Sequence, residues 1–181
     1  MLDNFIAFTS TSKITYAGAG VAAIAASEAN FREISSRLTL QIISYDKINQ
    51  LRHSMIYKSA DDIKLQMKKH ADILRPKFKT VLEILDRELG GLGIAQWNEP
   101  KGGYFISLDV VCGSAKYVGE LCKKAGLTIT GVGATYPYKQ DPEDKNIRLA
   151  PSCPTIEELK IATEIICHAV KLAACKELSE K

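Results

Sequence analysis

The hydrophobic pattern of the first 45 residues predicts two short strands separated by a polar turn. NFIAF is short and apolar, and GVAAIAA at 20–26 is apolar throughout, as in a strand covered on both faces, although the pattern alone also permits a helix. ANFREISSRL predicts a helix, and TLQIIS predicts a short strand or an extended connector. Two strands and a connector are too little to enclose a core. We therefore expect this chain to be the C-terminal part of a longer protein.

A long helical pattern follows, from about 47 to 89. Ser59 and Asp62 have the spacing of a capping box, which predicts that a helix begins again there. Pro76 should kink or divide this helix, because proline cannot donate a backbone hydrogen bond. The glycine pair at 90–91 predicts its end.

From Ile94 onward the pattern predicts strand, strand, helix, strand, strand and helix. IAQWN and GYFISLDV are the first two strands, joined by the turn EPKGG, and SAKYVGELCKKAG is an amphipathic helix. LTIT and NIRLAP are the other two strands. Thr155 and Glu158 form a second capping box, which opens a final helix to about Lys176. This order predicts a compact α/β unit with helices on a small sheet.

Composition and charge narrow the classes of function. The chain has 46% hydrophobic and 25% charged residues, which is ordinary for a soluble globular protein. The net charge of +3 is small and the basic residues are mixed with acids, so we expect neither a nucleic-acid nor a membrane partner. The N-terminal MLDNFIAF lacks the features of a signal peptide.

The cysteines and histidines predict neither a disulfide framework nor a metal site. Five cysteines are present, no C-x-x-C occurs, and a reducing cytoplasm is the expected location. His53, His70 and His168 do not have the spacing of metal ligands. For these three we expect surface or helix-packing roles.

The stretch TSTSKITY at 9–16 places one lysine among hydroxyl side chains. A lysine attacks a carbonyl only when neutral, which requires burial or a nearby positive charge. The hydroxyls of Ser10, Thr11 and Ser12 could hold an anion, so a phosphate and an aldehyde in one molecule, as in pyridoxal phosphate, would use both features around Lys13. From the spacing alone, an exposed lysine in a Ser/Thr turn is the commoner outcome.

A second candidate is Arg148, in the predicted strand NIRLAP. An arginine flanked by apolar residues needs an anionic partner. Its guanidinium group binds a carboxylate through two parallel hydrogen bonds. The pattern alone leaves a substrate carboxylate and a structural ion pair equally open.

Four segments resemble, in the same order, the C-terminal part of fold-type I pyridoxal-phosphate aminotransferases. They are STSKITYAGAGVAAIAASEAN, LRPKFKTVLEILDREL, EPKGGYFISLDV and AGLTITGVGATYPYKQDPEDKNIRLAPS. Within this family the sequence is most similar to bacterial aspartate aminotransferases related to the aminotransferase-like domains of MocR-type regulators. The resemblance covers nearly the whole chain.

The resemblance implies an α/β fold made of the end of the large-domain sheet and the small α/β domain. Residues 1–58 would be the C-terminal segment of the cofactor-binding large domain with the start of the interdomain helix. Residues 59–181 would be the small domain. Much of the family's cofactor site precedes the lysine, and only twelve residues precede Lys13 here. We therefore expect this chain alone to be inactive.

The resemblance also implies the roles of individual residues. Lys13 matches the lysine that bonds to pyridoxal 5'-phosphate and moves a proton at the substrate α-carbon. Ser10 matches the serine that contacts the cofactor phosphate, and Ser12 is a second hydroxyl of the same cofactor-binding motif. Arg148 matches the arginine that binds the substrate α-carboxylate. GGYF at 102–105 matches a structural entry into a strand of the small domain.

Two segments depart from the family pattern. Many members carry an arginine a few residues after the lysine, where this chain has Gly20 and Val21, although the most similar subgroup shares AGAGVA. Relatives read I-G-P-D-K-x-N where this chain has ISYDKIN, with Ser44 and Tyr45 in place of Gly-Pro. The second departure leaves the local turn and the substrate preference open.

A dicarboxylic substrate requires a second cationic contact besides the arginine of the predicted strand. The sequence offers several candidates and does not choose among them: Arg37, Lys47, Arg52 and Lys139.

The function implied by the resemblance is transfer of the amino group of aspartate to 2-oxoglutarate through pyridoxal phosphate, by a cytoplasmic homodimer. Three alternatives stay open at this point. The first is the effector-binding domain of a MocR-type transcriptional regulator. The second is a transaminase of another specificity, for alanine or an aromatic amino acid. The third is an inactive fragment.

Overall fold

The computed structural model describes residues 4–179, which fold into two compact units. The first unit ends at Ala71 and the second begins at Asp72, inside a long helix. The predicted domain boundary between 58 and 59 stays a prediction, and the outer ends of the predicted domains lie outside the described residues. The elements, in chain order, are β1 (Ile6–Ser10), β2 (Ala22–Ala26), α1 (Glu28–Gln41), α2 (Lys47–Ile56), α3 (Ala60–Leu89), β3 (Ala95–Trp97), β4 (Ile106–Val110), α4 (Ala115–Lys124), β5 (Asn146–Leu149) and α5 (Ile156–Ser179).

The first unit contains the two predicted strands as an antiparallel pair. Ile6 of β1 lies opposite Ala26 of β2, and Ser10 lies opposite Ala22, so the segment 11–21 closes the hairpin. The helix predicted after β2 is α1, and Ser27 caps it by accepting a hydrogen bond from a backbone N–H. The prediction for TLQIIS was wrong in its first half, because α1 continues through residues 39–41.

Among the residues described up to Ala71, only two are buried, and both are polar. These are Thr15, which is 2% exposed, and Asn49, which is 8% exposed. Large apolar side chains lie on the surface instead, among them Phe8 at 73% and Ile43 at 103% exposure. The prediction that β2 is covered on both faces is therefore not met by the described residues, which leave the hairpin open to solvent.

The capping box at Ser59 is confirmed. Asp62 Oδ2 accepts a hydrogen bond from the Ser59 N–H at 2.9 Å, and Ser59 Oγ accepts from the Asp62 N–H at 3.3 Å. The hydrogen bonds from Ser59 lower the pKa of Asp62 below its ordinary value. The long helical pattern is accordingly split between α2 and α3.

The predicted division of the helix at Pro76 was wrong, and the predicted kink stays a prediction. The helix runs unbroken from Ala60 to Leu89, and the Thr80 hydroxyl donates to the Pro76 carbonyl at 2.9 Å. Because proline has no N–H, the helix loses one backbone hydrogen bond. Farther along the same helix, Leu85 and Leu89 are completely or almost completely buried. Tertiary packing of the helix therefore outweighs the local defect.

The second unit is built on an antiparallel sheet of three strands in the order β3, β4, β5. The two predicted strands around EPKGG are confirmed, and Trp97 lies opposite Leu108. LTIT is not a strand: Leu127 and Ile129 pack against the core, and their backbone joins no sheet. The capping box of Thr155 is confirmed, and α5 runs to Ser179. The buried core includes Val81, Leu85, Ile106, Leu108, Val118, Ile147, Cys167 and Val170.

Replacing Glu88 by glutamine should lower the free energy of unfolding near neutral pH but not in acid. The Lys171 ammonium at 2.9 Å, and then the Arg87 guanidinium at 2.8 Å, lower the pKa of Glu88 from 4.5 to about 2. A carboxylate with a lowered pKa stabilises the fold above its unfolded-state value, and this contribution is lost as the pH falls from about 4.5 towards 2. Urea denaturation of both proteins as a function of pH measures the difference.

The matched control is Glu83→Gln. The Glu83 carboxylate is 65% exposed, and its contact with Lys79 is 3.6 Å long. An exposed pair of this kind contributes little to stability. A Glu88→Gln effect that stays constant down to about pH 3 would contradict the assignment.

Candidate functional site

The hairpin segment 11–21 closes on itself through Thr11. The Thr11 N–H donates to the Val21 carbonyl, and the Val21 N–H donates to Thr11 Oγ1, both at 2.9 Å. The Thr11 carbonyl accepts hydrogen bonds from the N–H groups of Ile14 and Thr15. Lys13 therefore stands in the middle of a hydrogen-bonded turn, and its side chain is exposed.

The two serines of the motif lie together on this turn. The Oγ atoms of Ser10 and Ser12 are 2.8 Å apart, and the Ser12 N–H donates to Ser10 Oγ at 3.2 Å. Both serines are exposed. Two neighbouring hydroxyls beside an exposed amine can donate hydrogen bonds to an anionic group.

Gly20 packs directly beneath Ser12. A Cβ atom at position 20 would lie 2.2 Å from Ser12 Oγ and 3.1 Å from Ser12 Cα. The turn that carries the hydroxyls therefore depends on the absence of a side chain at Gly20. This contact explains why the AGAGVA segment has a glycine at position 20.

Helix α2 supplies three residues that the sequence-based prediction missed. Asn49 Nδ2 donates to the carbonyls of Ala19 at 2.9 Å and Gly20 at 3.1 Å. His53 Nε2 lies 2.9 Å from Thr15 Oγ1, which agrees with the helix-packing role expected of His53 and adds a specific partner in the Lys13 turn. Tyr57, at the end of the helix, packs near the His53 ring. The signal was their four-residue spacing, which places all three on one helix face.

Two buried polar atoms of this face have no hydrogen-bond partner among the described residues. They are Asn49 Oδ1 and the hydroxyl oxygen of Tyr57. The Tyr57 ring lies 6.1 Å from that of Tyr16, centroid to centroid. Burial, and then the neighbouring Tyr16 phenol, raise the pKa of Tyr57 to about 12. The hydroxyl therefore stays protonated at neutral pH.

Arg148 lies in β5, opposite Ser107 of β4. Its guanidinium carbon lies 4.4 Å from the centroid of the Phe105 ring, at cation–π distance. Its Nε atom is buried and has no hydrogen-bond partner in the described part of the chain. The expected anionic partner is not found within residues 4–179, where no carboxylate forms an ion pair with this arginine.

Asp141 and Asn146 anchor the segment that leads into β5. Asp141 Oδ2 accepts hydrogen bonds from the N–H groups of Asn146 at 2.8 Å and Lys145 at 2.9 Å. Burial alone would raise the pKa of Asp141, but the backbone N–H donors outweigh it and the net shift is downward. The Asn146 side chain donates to Asp109 Oδ1 at 2.6 Å across the sheet. These contacts fix the register at Arg148.

A cavity of about 170 Å³ adjoins β5 in the second unit. Arg148 lines it together with apolar side chains, among them Ile129, Leu159 and Ile166. The cavity therefore provides an apolar surface next to Arg148 of β5.

The predicted residues fall into two groups that belong to different units. Ser10, Ser12 and Lys13 lie together in the first unit, and Arg148 lies in the second. No group of metal-ligating side chains suited to an ion occurs between residues 4 and 179. In the same range, every helix is too short or too polar to span a bilayer.

Comparisons with known proteins all point to aminotransferases. A family model described as aspartate amino-transferase matches residues 2–181. An aspartate aminotransferase of Corynebacterium glutamicum is 50% identical over 174 residues, which cover 96% of this chain and 40% of that protein. This chain thus spans about two fifths of the length of that relative.

Solved structures agree with the sequence comparison. The crystal structure of an aspartate transaminase from Corynebacterium glutamicum matches with a TM-score of 0.91 at 50% identity, over 96% of this chain and 41% of that one. An α-aminoadipate aminotransferase from Thermus thermophilus, complexed with N-(5'-phosphopyridoxyl)-L-leucine, matches with a TM-score of 0.73. At 20% identity, over 94% of this chain and 42% of that one, the second match indicates a shared fold.

Substituting Gly20 by alanine should open the turn around Ser12. The added Cβ would overlap the Ser12 hydroxyl and would lie tightly against Ser12 Cα at 3.1 Å, and overpacking of this kind costs about 1–3 kcal/mol. We expect faster amide hydrogen exchange at Thr11 and Val21, measured by mass spectrometry or NMR. Gly102→Ala is the control, because a Cβ at Gly102 meets no atom within 4 Å. Equal exchange in both variants would refute the role of this contact.

Proposed function

Because this chain belongs to the aspartate amino-transferase family, we propose that its full-length protein is a transaminase that moves the amino group of aspartate to 2-oxoglutarate. The mixed α/β structure is that of the C-terminal portion of a fold-type I aminotransferase. The family implies pyridoxal 5'-phosphate as the cofactor. The observation that carries the proposal is the turn that presents Lys13 beside two neighbouring serine hydroxyls, in a chain of this family.

The residues of the turn fit this cofactor. Ser10 and Ser12 offer hydroxyl donors for a phosphate, and Lys13 presents its amine at the surface of the turn. Burial of this surface in the full-length protein would favour the neutral amine that attacks an aldehyde. The glycine at position 20 keeps the turn compact where a Cβ would displace the Ser12 hydroxyl. Bound pyridoxal phosphate would supply an aldehyde that bonds to amines and a ring that withdraws electrons from the substrate α-carbon.

The chain's own residues would then act as binding groups and as an acid–base catalyst. Ser10 and Ser12 would donate hydrogen bonds to the phosphate. Lys13 Nζ would take the proton from the substrate α-carbon and deliver it to the carbon that had carried the cofactor aldehyde, as transfer of the amino group requires. Arg148, which forms no ion pair with the described residues, would bind the substrate α-carboxylate.

Aspartate is the proposed amino donor because the family model and two matches at 50% identity carry that name. A second cation would bind its distal carboxylate. Arg37 is paired with Glu33 on α1, so Lys47, Arg52 and Lys139 are the stronger candidates. These relatives are named as aminotransferases, which favours an enzyme over the effector domain of a MocR-type regulator.

The state of the protein in the cell is also a proposal. All five cysteines are free thiols, which supports a reducing compartment and hence a cytoplasmic location. The exposed apolar side chains of the first unit support a homodimer of the full-length protein, and light scattering that finds a monomer would refute it. Since the chain spans 40% of its relative, we propose that it has little activity alone.

Lys13→Ala should abolish the covalent attachment of the cofactor to the full-length protein. The variant lacks the amine that bonds to the aldehyde, so the visible absorption band of the bound cofactor should disappear. Borohydride treatment followed by peptide mass spectrometry locates the attachment site. Lys58→Ala is the control, because Lys58 donates to the Ser54 carbonyl on α2. Attachment that survives in Lys13→Ala would overturn the assignment.

Arg148→Ala should reduce kcat/KM for the amino donor. Loss of one partner of a desolvated charge pair costs about 2–5 kcal/mol. Arg148→Lys should recover part of the loss, because lysine keeps the charge but not the bidentate geometry. Arg75→Ala is the control, since Arg75 is exposed and lies 4.0 Å from Asp72. Steady-state kinetics of the full-length variants measures the effect, and an unchanged kcat/KM for Arg148→Ala would exclude the role.

A further inference from the structure

The buried residues of the first unit are concentrated at one contact, between α2 and the segment 11–20. Thr15 and Asn49 are the buried residues among those described up to Ala71, and both are polar. Burial of a polar group is unfavourable unless it is hydrogen-bonded. A unit whose apolar side chains are exposed and whose buried side chains are polar is thus organised around this contact.

His53 is oriented by its own helix. Its Nδ1 atom lies 3.0 Å from the Asn49 carbonyl oxygen, which can only accept a hydrogen bond. The ring proton of neutral His53 is therefore assigned to Nδ1, which leaves Nε2 as an acceptor. Nε2 lies 2.9 Å from Thr15 Oγ1 and 3.5 Å from Thr11 Oγ1. The single proton of the Thr15 hydroxyl can be donated to this nitrogen or to the Thr11 carbonyl, which lies 3.2 Å away.

The residues held by α2 lie on both sides of Lys13. Thr11 and Thr15 are two residues before and two residues after it, and both hydroxyls face His53 Nε2. Farther along, Asn49 Nδ2 holds two consecutive carbonyls at the exit of the segment. The backbone that carries Lys13 is thus attached to a single helix at its entry, its middle and its exit.

We propose that Asn49 and His53 are positioning residues, which fix the backbone around Lys13 so that its amine is held in place for covalent attachment and proton transfer. This inference rests on the proposed function. Neither side chain needs to contact the cofactor or the substrate. Each acts through the segment 11–20, by hydrogen bonds that α2 presents at four-residue spacing.

Three variants of the full-length protein test the proposal. In His53→Asn the shorter amide can replace Nδ1 but does not reach Thr15, whereas in His53→Gln the longer amide can place an oxygen where Nε2 accepted. Asn49→Asp replaces the donor to both carbonyls by an acceptor. His70→Gln is the control, because His70 bonds to Gln66 of its own helix.

Two properties of each variant are measured: its steady-state kinetics and the amide hydrogen exchange of residues 11–21. The exchange is measured both with the cofactor and after the cofactor has been removed. His53→Asn and Asn49→Asp should lower kcat by up to about 100-fold, as misplacement of a reacting group does. KM should change little, since substrate binding is not the lost interaction. Exchange at 11–21 should accelerate in both variants, while His53→Gln and His70→Gln stay close to wild type.

Two results would overturn the proposal. One is wild-type kcat and wild-type exchange in His53→Asn and Asn49→Asp. The other is an equal loss in His53→Gln and His53→Asn with a lowered melting temperature, which is the mark of a purely structural role. Borohydride treatment of the wild type tests the proposed function separately. If borohydride fixes no cofactor to Lys13, the proposed transaminase function fails. Amide hydrogen exchange of residues 11–21 then decides by itself whether α2 holds the segment.

Discussion

The closure of the segment between β1 and β2 is the constraint on which the candidate site depends. Thr11 forms backbone and side-chain hydrogen bonds with Val21, and Asn49 holds the carbonyls of Ala19 and Gly20. Because hydrogen bonds hold both ends of this segment, the turn between them is compact, and Ser12 packs against Gly20. The chemistry proposed for Lys13 needs this order, because an amine on a loose loop has no fixed direction of attack.

The second unit obtains its order in a different way, from apolar packing. One face of its sheet packs into a core with α3, α4 and α5, and completely buried side chains such as Ile106 and Ile147 lie on adjacent strands. That packing allows β5 to carry an arginine without an acidic partner in the described residues. Phe105 covers the guanidinium group of Arg148. The charge of Arg148, which would be costly inside the core, is therefore held at the edge of the core.

Local signals in the sequence predicted most elements correctly. The capping boxes at Ser59 and Thr155 involve neighbouring residues, so their geometry is set locally and could be recognised. The failures at Pro76 and at LTIT depend on packing between distant elements, which local pattern does not contain. The serine–lysine motif identified the candidate site, but His53 meets Thr15 across 38 positions of sequence, and no local rule predicts that contact.

The exposed apolar surface of the first unit has a consequence for when the site becomes ordered. Hydrogen bonds that water can reach open and close readily, whereas those shielded by apolar groups persist. Phe8 and Ile43 are exposed in the described chain, so shielding of the Lys13 turn must come from surfaces that these residues do not provide. In the proposed enzyme, the turn of Lys13 would therefore be shielded from water only after the full-length protein assembles, and partly assembled molecules would be inactive.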